Sequence, residues 1–183
     1  MLLLSEFIVY IRQFYRRIYM NNNDRLIRLR YALEIKNAEM VEIFQLGGTE
    51  ITKEEVIKLL TKLEEDSPDE THMECTNAML DSFLNGFIIF QRGVQEQKPG
   101  QPKRPAPLLN DSNVNNILLK KLKIALTLTS EDILEILEDA GVTISKGELG
   151  AVLRTEGHRN YKECGDRYAR NFLKGLALSY RDQ

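Results

Sequence analysis

The chain contains one sequence pattern twice. When Asn22 is aligned with Asn115, the two halves match without a gap through Leu60 and Leu153, and thirteen of these thirty-nine positions are identical. After a four-residue difference in length the match resumes with the pairs Cys75/Cys164, Phe83/Phe172, Leu84/Leu173 and Gly86/Gly175. A repeat of this kind constrains the fold before any other feature, because each copy has to form the same structural unit.

Apolar residues recur at helical spacing in both copies. Leu26, Leu29 and Leu33 lie three or four positions apart, which places them on one face of a helix with 3.6 residues per turn. The same reasoning predicts first helices at about Asp24–Glu34 and Ile117–Leu126, second helices at Ala38–Leu46 and Glu131–Asp139, and fourth helices at Met73–Gln91 and Lys162–Tyr180. Neither copy alternates with period two for long enough to form a strand. The sequence therefore predicts an all-α fold of two homologous four-helix repeats joined by a proline-rich linker.

The third helix of each copy has the clearest start signal. A hydroxyl residue is followed three positions later by glutamate, and apolar residues flank the pair: Ile51, Thr52, Glu55 and Val56 in the first copy, and Ile144, Ser145, Glu148 and Leu149 in the second. This pattern is a capping box with a hydrophobic staple. The second helices have a simpler signal, with Asn37 and Ser130 as the expected N-caps.

The fourth helix is predicted to carry an apolar stripe that begins at a cysteine. Its members lie four residues apart: Cys75, Met79, Phe83 and Phe87 in the first copy, and Cys164, Tyr168, Phe172 and Leu176 in the second. Gly86 and Gly175 lie on the same side of this helix, and each costs about 1 kcal/mol of helix propensity. A glycine kept in both copies despite that cost indicates the close approach of another helix.

Two segments lie outside the repeats. Residues 94–113 contain four of the five prolines and no periodicity, which is typical of a linker, so the repeats are expected at residues 20–93 and 114–183. Residues 1–19 are apolar and aromatic, but they are too short and too charged to span a bilayer and do not follow the signal-peptide order. We interpret them as an N-terminal extension before a native start at Met20, with an interfacial amphipathic helix as the alternative. No stable membrane insertion is expected.

The composition gives no indication of general nucleic-acid binding or of a metal site. The net charge of −2 gives no global attraction to nucleic acid. The two cysteines and the two histidines have no neighbours at metal-ligand spacing, so we expect no metal and no cofactor. Such sparse use of cysteine is typical of the reducing cytoplasm, where we expect the protein to reside.

One polar segment of the second copy is a candidate site. His158, Asn160 and Asp166 are close enough in sequence to orient one another, and Cys164 lies between them. A cysteine nucleophile requires a thiolate, yet the first copy has the cysteine without a corresponding histidine. We therefore favour a structural reading, in which polar groups cap the entry to the fourth helix, and we assign no catalytic residue.

The two copies differ in charge. Nine acids oppose three lysines between Thr49 and Glu74, whereas six bases oppose three acids between Arg154 and Lys174. The candidate anion-binding residues of the second copy are Arg159, Lys162, Arg167 and Arg170. Such asymmetry favours attraction between the two halves, or between the basic half and an anionic partner. We favour attraction between the halves.

The second and third helices, joined by a glycine turn, resemble a helix-turn-helix motif. In that motif the second helix enters the major groove and its early residues contact the bases. The early residues here are Lys146, Gly147 and Glu148, or Lys53, Glu54 and Glu55 in the first copy. Because their carboxylates would repel phosphate, nucleic-acid binding is the alternative function and is not favoured.

Several short motifs carry a family resemblance. They are NND at 22–24, RLRY at 28–31, SFLNG at 82–86, NNI at 115–117, LKKL at 119–122, HxNYxxCGD at 158–166 and FLKG at 172–175. Over about residues 20–178 the chain resembles the bacterial YehS-like family, small cytoplasmic proteins that carry one domain of unknown function twice. The resemblance implies a start near Met20 and implies no activity.

The function predicted from the sequence is a non-enzymatic helical interaction protein with an unidentified protein partner. It is supported by the structural account that exists for every residue kept in both copies. A nucleic-acid-associated regulator that uses the basic second copy is the alternative. An enzyme built around His158, Cys164 and Asp166 is the least favoured reading.

Overall fold

A computed structural model describes residues 19–62, 71–94 and 109–181, and these residues fold into eight helices without a strand. Their bounds are α1 Asn22–Ala32, α2 Asn37–Leu46, α3 Lys53–Leu60, α4 Asn77–Arg92, α5 Val114–Ala125, α6 Ser130–Asp139, α7 Lys146–Val152 and α8 Asp166–Arg181. The predicted all-α fold is confirmed. Most of the predicted N-terminal extension and most of the predicted linker lie outside the described residues. In the described ranges, no helix has the length and apolar character needed to cross a membrane.

The third helices begin as predicted. The backbone N–H of Glu55 donates to Thr52 Oγ1 at 3.2 Å, and that of Thr52 donates to the Glu55 carboxylate at 2.8 Å. Ser145 and Glu148 form the same reciprocal pair at 3.2 and 3.0 Å. Both capping boxes satisfy backbone donors that a helix start otherwise leaves unpaired.

The second helices begin one residue earlier than predicted. Thr129, and not Ser130, is the N-cap of α6, because its Oγ1 accepts the backbone N–H of Asp132 at 3.1 Å. In the first unit the N-cap is Lys36, whose backbone N–H donates to Glu39 at 2.6 Å. The acid three residues later therefore decides the position of each start.

The fourth helices begin four residues later than predicted, at Asn77 and Asp166. Cys75 and Cys164 consequently lie before the helices and do not begin their apolar stripes. The backbone N–H of Cys75 donates to Asn23 Oδ1, and that of Cys164 donates to Asn116 Oδ1, both at 2.9 Å. These bonds to α1 and α5 hold the chain in a non-helical segment where the apolar spacing alone predicts helix.

The predicted close approach at the two glycines is confirmed. A Cβ atom on Gly86 would lie 1.8 Å from the carbonyl oxygen of Ile43, and one on Gly175 would lie 1.9 Å from that of Ile136. Ile43 and Ile136 are themselves an aligned pair. The second and fourth helices of each unit therefore pack backbone to backbone, α2 on α4 and α6 on α8.

The two units pack on each other by exchanging partners. Helix α1 of the first unit packs on α8 of the second, and α4 of the first packs on α5 of the second. Arg181 Nη1 donates to the carbonyl oxygen of Tyr31 at 2.9 Å, and the aligned Arg92 Nη1 donates to that of Ile124 at 3.1 Å. The interface is therefore pseudo-symmetric, as in an isologous dimer.

One core runs through both units. Leu29 and Phe83 of the first unit belong to the same buried cluster as Leu122 and Phe172 of the second. Ion pairs also join the units, between Arg25 and Asp166, Lys121 and Asp81, and Arg181 and Glu34. These pairs do not use the acidic stretch at residues 49–74, so the attraction between the two charged stretches stays a prediction.

The four exchanged helices start at the same end of the molecule. Arg25 near the start of α1 contacts Asp166 at the start of α8, while the far ends of these two helices meet through Arg181 and Tyr31. Asn77 at the start of α4 likewise donates to Asp111, three residues before α5, at 3.0 Å. Each exchanged pair is therefore parallel, and four helix starts converge.

We expect Gly175→Ala to lower the free energy of unfolding by about 2 kcal/mol, because the added methyl overpacks a backbone contact. Alanine would otherwise favour the helix by about 1 kcal/mol. Gly150→Ala in α7 is the matched control, since nothing lies within 4 Å of its Cβ position, and it should leave the stability unchanged or higher. Urea unfolding measures both, and equal effects of the two substitutions would contradict the close approach.

Candidate functional site

A polar cleft of about 1150 Å³ opens where the four helix starts converge. Asn22, Arg25, Asn77, Asp111 and Asp166 are among its lining residues. Both units contribute to it, so the reciprocal packing creates it. We take this cleft as the candidate functional site because it gathers buried polar side chains that are distant in sequence.

A buried asparagine in each unit holds the segment that leads to the cleft. Asn116 Nδ2 donates to the carbonyl oxygens of Val152 and Lys162, both at 2.8 Å, and its Oδ1 accepts from Cys164. Asn23 makes the equivalent bonds, to Leu59 and Met73 at 2.8 and 2.7 Å, and accepts from Cys75. Each side chain uses both amide hydrogens and its oxygen, as burial requires.

Asn22 and Asn115, which precede these two residues, each bond to the first residue of the fourth helix in the same unit. Asn115 Nδ2 donates to the carbonyl oxygen of Cys164 at 2.9 Å and to Asp166 Oδ1 at 2.8 Å. Asn22 Nδ2 donates to Cys75 and to Asn77 Oδ1 at 3.1 and 2.8 Å. Since Asn77 aligns with Asp166, the two units build the same network and differ by one charge.

Arg25 joins the two networks. Its Nε donates to Asn115 Oδ1 at 2.9 Å, its Nη1 to Asn22 Oδ1 at 3.1 Å and its Nη2 to Asp166 Oδ1 at 3.1 Å. Only 5% of Arg25 is exposed, and burial lowers the pKa of its guanidinium while the nearby Asp166 carboxylate opposes that effect. An arginine remains charged under such conditions.

Asp166 is one of the carboxylates that line the cleft. Besides Arg25 and Asn115, it accepts the backbone N–H of Met20 at 2.7 Å. Three donors from α1, α5 and the segment before α1 therefore converge on one side chain at the start of α8, where the helix dipole also favours a negative charge. A carboxylate bonded in this way serves as an anchor between elements.

The structure divides the four residues of the predicted polar site. His158 and Asn160 are exposed in the loop between α7 and α8, where the Asn160 backbone N–H donates to His158 Nδ1 at 3.1 Å. Arg154 Nη1 lies 3.0 Å from His158 Nε2. Asp166 instead lines the cleft, and Cys164 is buried in the core.

The Cys164 thiol has low nucleophilic reactivity. Burial, and secondarily the Asp166 charge, raise its pKa to about 12, and burial raises that of Cys75 to the same value. Both thiols are free. A thiol with so high a pKa is protonated at neutral pH and is a poor nucleophile.

The four predicted anion-binding residues lie on two elements. Arg159 is exposed in the loop before α8, and Lys162 in the same loop lies 3.9 Å from Glu148. Arg167 and Arg170 lie on α8. In the helix-turn-helix reading, Lys146 pairs with Glu131, and Glu148 is used by the Ser145 cap, so structural contacts occupy two of the three early residues of α7. Within the described ranges, no group of three or more histidine, cysteine or acidic side chains could hold a metal ion.

Sequence reasoning missed Arg25. It aligns with Leu118, which is fully buried, and nothing in the residues around Arg25 in the sequence indicates that its side chain is buried. The asparagines that form these hydrogen bonds are identical in the two copies, which marks them in the sequence. Their partners lie more than thirty residues away and cannot be identified from the sequence.

The fold and the cleft define a tandem-repeat helical protein in which each unit completes the other. The chain belongs to the family described as "Protein of unknown function (DUF1456)", whose family model matches residues 22–93 and again residues 115–182. It is also 41% identical over 159 residues to the "Uncharacterized protein YehS" of Escherichia coli (strain K12), an alignment that covers 86% of this chain and 95% of that protein. These matches confirm the predicted resemblance. No solved structure matches.

We expect Arg25→Leu to lower the free energy of unfolding by about 2 kcal/mol, because it leaves the Asp166 carboxylate without its cation. The value is smaller than for a fully buried pair, since Asp166 keeps two other donors. The double substitution Arg25→Leu with Asp166→Asn copies the aligned residues Leu118 and Asn77, and it should stay within about 1 kcal/mol of the unmodified chain. Urea denaturation tests this, and a double variant as unstable as Arg25→Leu alone would contradict the pairing.

Proposed function

We propose that this protein is a non-enzymatic helical protein that acts in the cytoplasm by binding another protein. The observation that carries the proposal is the environment of Cys164 and Asp166, the two side chains on which an enzyme built from the polar segment would depend. The buried Cys164 thiol has a pKa near 12, and the Asp166 carboxylate is bonded to Arg25, Asn115 and Met20. A protonated thiol is a poor nucleophile, and the three bonds to Asp166 are those of a side chain that joins helices.

Duplication supports the same conclusion. The residues kept in both units, such as Asn23/Asn116 and Gly86/Gly175, are used to position helices. Some of the differences between the units change the charge of exposed positions, as in the aligned pair Ala78/Arg167. A protein whose shared residues build the framework and whose units differ in surface charge is suited to binding a partner on one face.

The cytoplasmic location is supported by the two cysteines. Both are free and buried, and secreted proteins of this size commonly use paired cysteines in disulfide bonds.

Nucleic-acid binding is the second candidate. It is favoured by the exposed bases of the second unit, of which Arg159 and Arg167 lie on its surface. The net charge of −2 opposes it, because non-specific binding to nucleic acid depends on phosphate neutralisation by clustered lysine and arginine.

The test is quantitative affinity enrichment with the full chain as bait, comparing Cys164→Ala with the matched control Cys75→Ala. We expect a saturable protein partner that both variants retain equally, because neither thiol takes part in binding. Mass spectrometry measures the partner-to-bait ratio. Absence of a saturable partner, or loss of the partner or of a covalent adduct with Cys164→Ala alone, would contradict the proposal.

A further inference from the structure

A row of basic side chains runs along α8. Arg167, Arg170, Lys174 and Arg181 occupy positions i, i+3, i+7 and i+14. At 100° per residue these positions fall within an arc of about 60°, and at 1.5 Å per residue they span about 21 Å. Arg170 is half-buried and the other three are exposed. We call these four residues the basic row.

Helix α1 lies beside the basic row. The Arg181 guanidinium stacks over the ring of Tyr31 with its carbon 4.1 Å from the ring centroid, where α1 packs on α8. We call the surface along the line between two such packed helices a groove, with one helix on each side. Arg28, one turn before Tyr31 on α1, is exposed. By analogy with the other groove, it adds a fifth positive charge on the opposite side.

The equivalent groove between α4 and α5 has different residues at the aligned positions. There, Lys121 Nζ lies 2.6 Å from Asp81 Oδ1 and 2.7 Å from Asn85 Oδ1, which satisfies the lysine within the protein. The repeat aligns Lys121 with Arg28, Asp81 with Arg170 and Asn85 with Lys174. A lysine, an aspartate and an asparagine in one groove correspond to three cations in the other.

Like charges at such positions repel one another, at a cost that falls as salt rises. On a surface exposed only to water, this repulsion lowers stability and is not offset by any contact. An external group that supplies carboxylates to the groove would replace the acid that α4 provides to Lys121, and arginine binds carboxylates through paired hydrogen bonds.

Resting on the proposed function, we propose that the groove between α1 and α8 binds an acidic segment of the partner protein. A length of about 21 Å accommodates a short segment. Tyr31, which is 58% exposed, supplies apolar contact beside the cations, as protein interfaces commonly combine aromatic and arginine side chains.

The charges favour a protein segment over nucleic acid. Affinity for duplex DNA rises with the number of phosphates that lysine and arginine neutralise, and this groove has five cations. Arg181 lies 3.4 Å from Glu34, and this acid limits the length of any anionic chain that the groove can hold. A short protein segment with a few carboxylates can end within that length, whereas a nucleic-acid backbone continues its charge beyond it.

The experiment measures binding of a fluorescein-labelled peptide of six glutamates, which extends over about 20 Å, by fluorescence anisotropy. The variant Arg167→Glu with Lys174→Glu reverses two exposed members of the basic row. Its matched control, Lys53→Glu with Lys58→Glu, makes the same change of charge on exposed residues of α3. Circular dichroism establishes that each variant is folded.

We expect the basic-row variant to weaken peptide binding at least about tenfold and the control to weaken it less than about twofold. A twelve-nucleotide oligothymidylate should bind more weakly than the peptide. No peptide binding, equal losses in both variants, or tighter binding of the oligothymidylate would overturn the inference. Enrichment of the protein partner by the basic-row variant at the unmodified level would also overturn it while leaving the proposed function intact.

Discussion

The reciprocal packing of the two units is the constraint on which the rest of the structure depends. Helices α1 and α4 of the first unit are covered by α8 and α5 of the second, so each unit lacks part of its own covering when it stands alone. The same exchange brings four helix starts together and encloses Arg25 among Asn22, Asn115 and Asp166. The cleft is thus a consequence of packing, and its polar network in turn fixes the relative position of the two units.

Residues that are identical in the two units and residues that differ between them have different roles. Shared residues build the framework: Asn23 and Asn116 hold the chain before each fourth helix, and Gly86 and Gly175 admit the second helix. Residues that differ interrupt the symmetry at the interface, where a single Arg25–Asp166 pair replaces the aligned leucine and asparagine. The two grooves differ in the same way, since Lys121 meets Asp81 and Asn85 in one, and the aligned positions in the other are all basic. Functional specificity is therefore expected where the copies diverge.

The sequence predicted what local interactions decide. The capping boxes at Thr52 and Ser145 need only four consecutive residues, and the glycine contacts followed from a helix penalty kept in both copies. The start of the fourth helix could not be predicted in this way. The hydrogen bond that keeps Cys75 outside this helix is made to Asn23, more than fifty residues away. The role of Arg25 was hidden for the same reason. The exchange of partners was hidden too, since α4 and α8 carry similar apolar stripes and either could cover α1.

The central claim is that the two units form one cooperative body, and the two cysteines test it directly. Cys75 and Cys164 occupy aligned positions, and both are buried, so each reports the unfolding of its own unit. Pulsed labelling with iodoacetamide across a urea series, read by mass spectrometry for each thiol, gives two unfolding curves from one protein. Reciprocal packing predicts the same midpoint and slope for both curves. Separate midpoints would mean that one unit stays folded without the other, which contradicts the account.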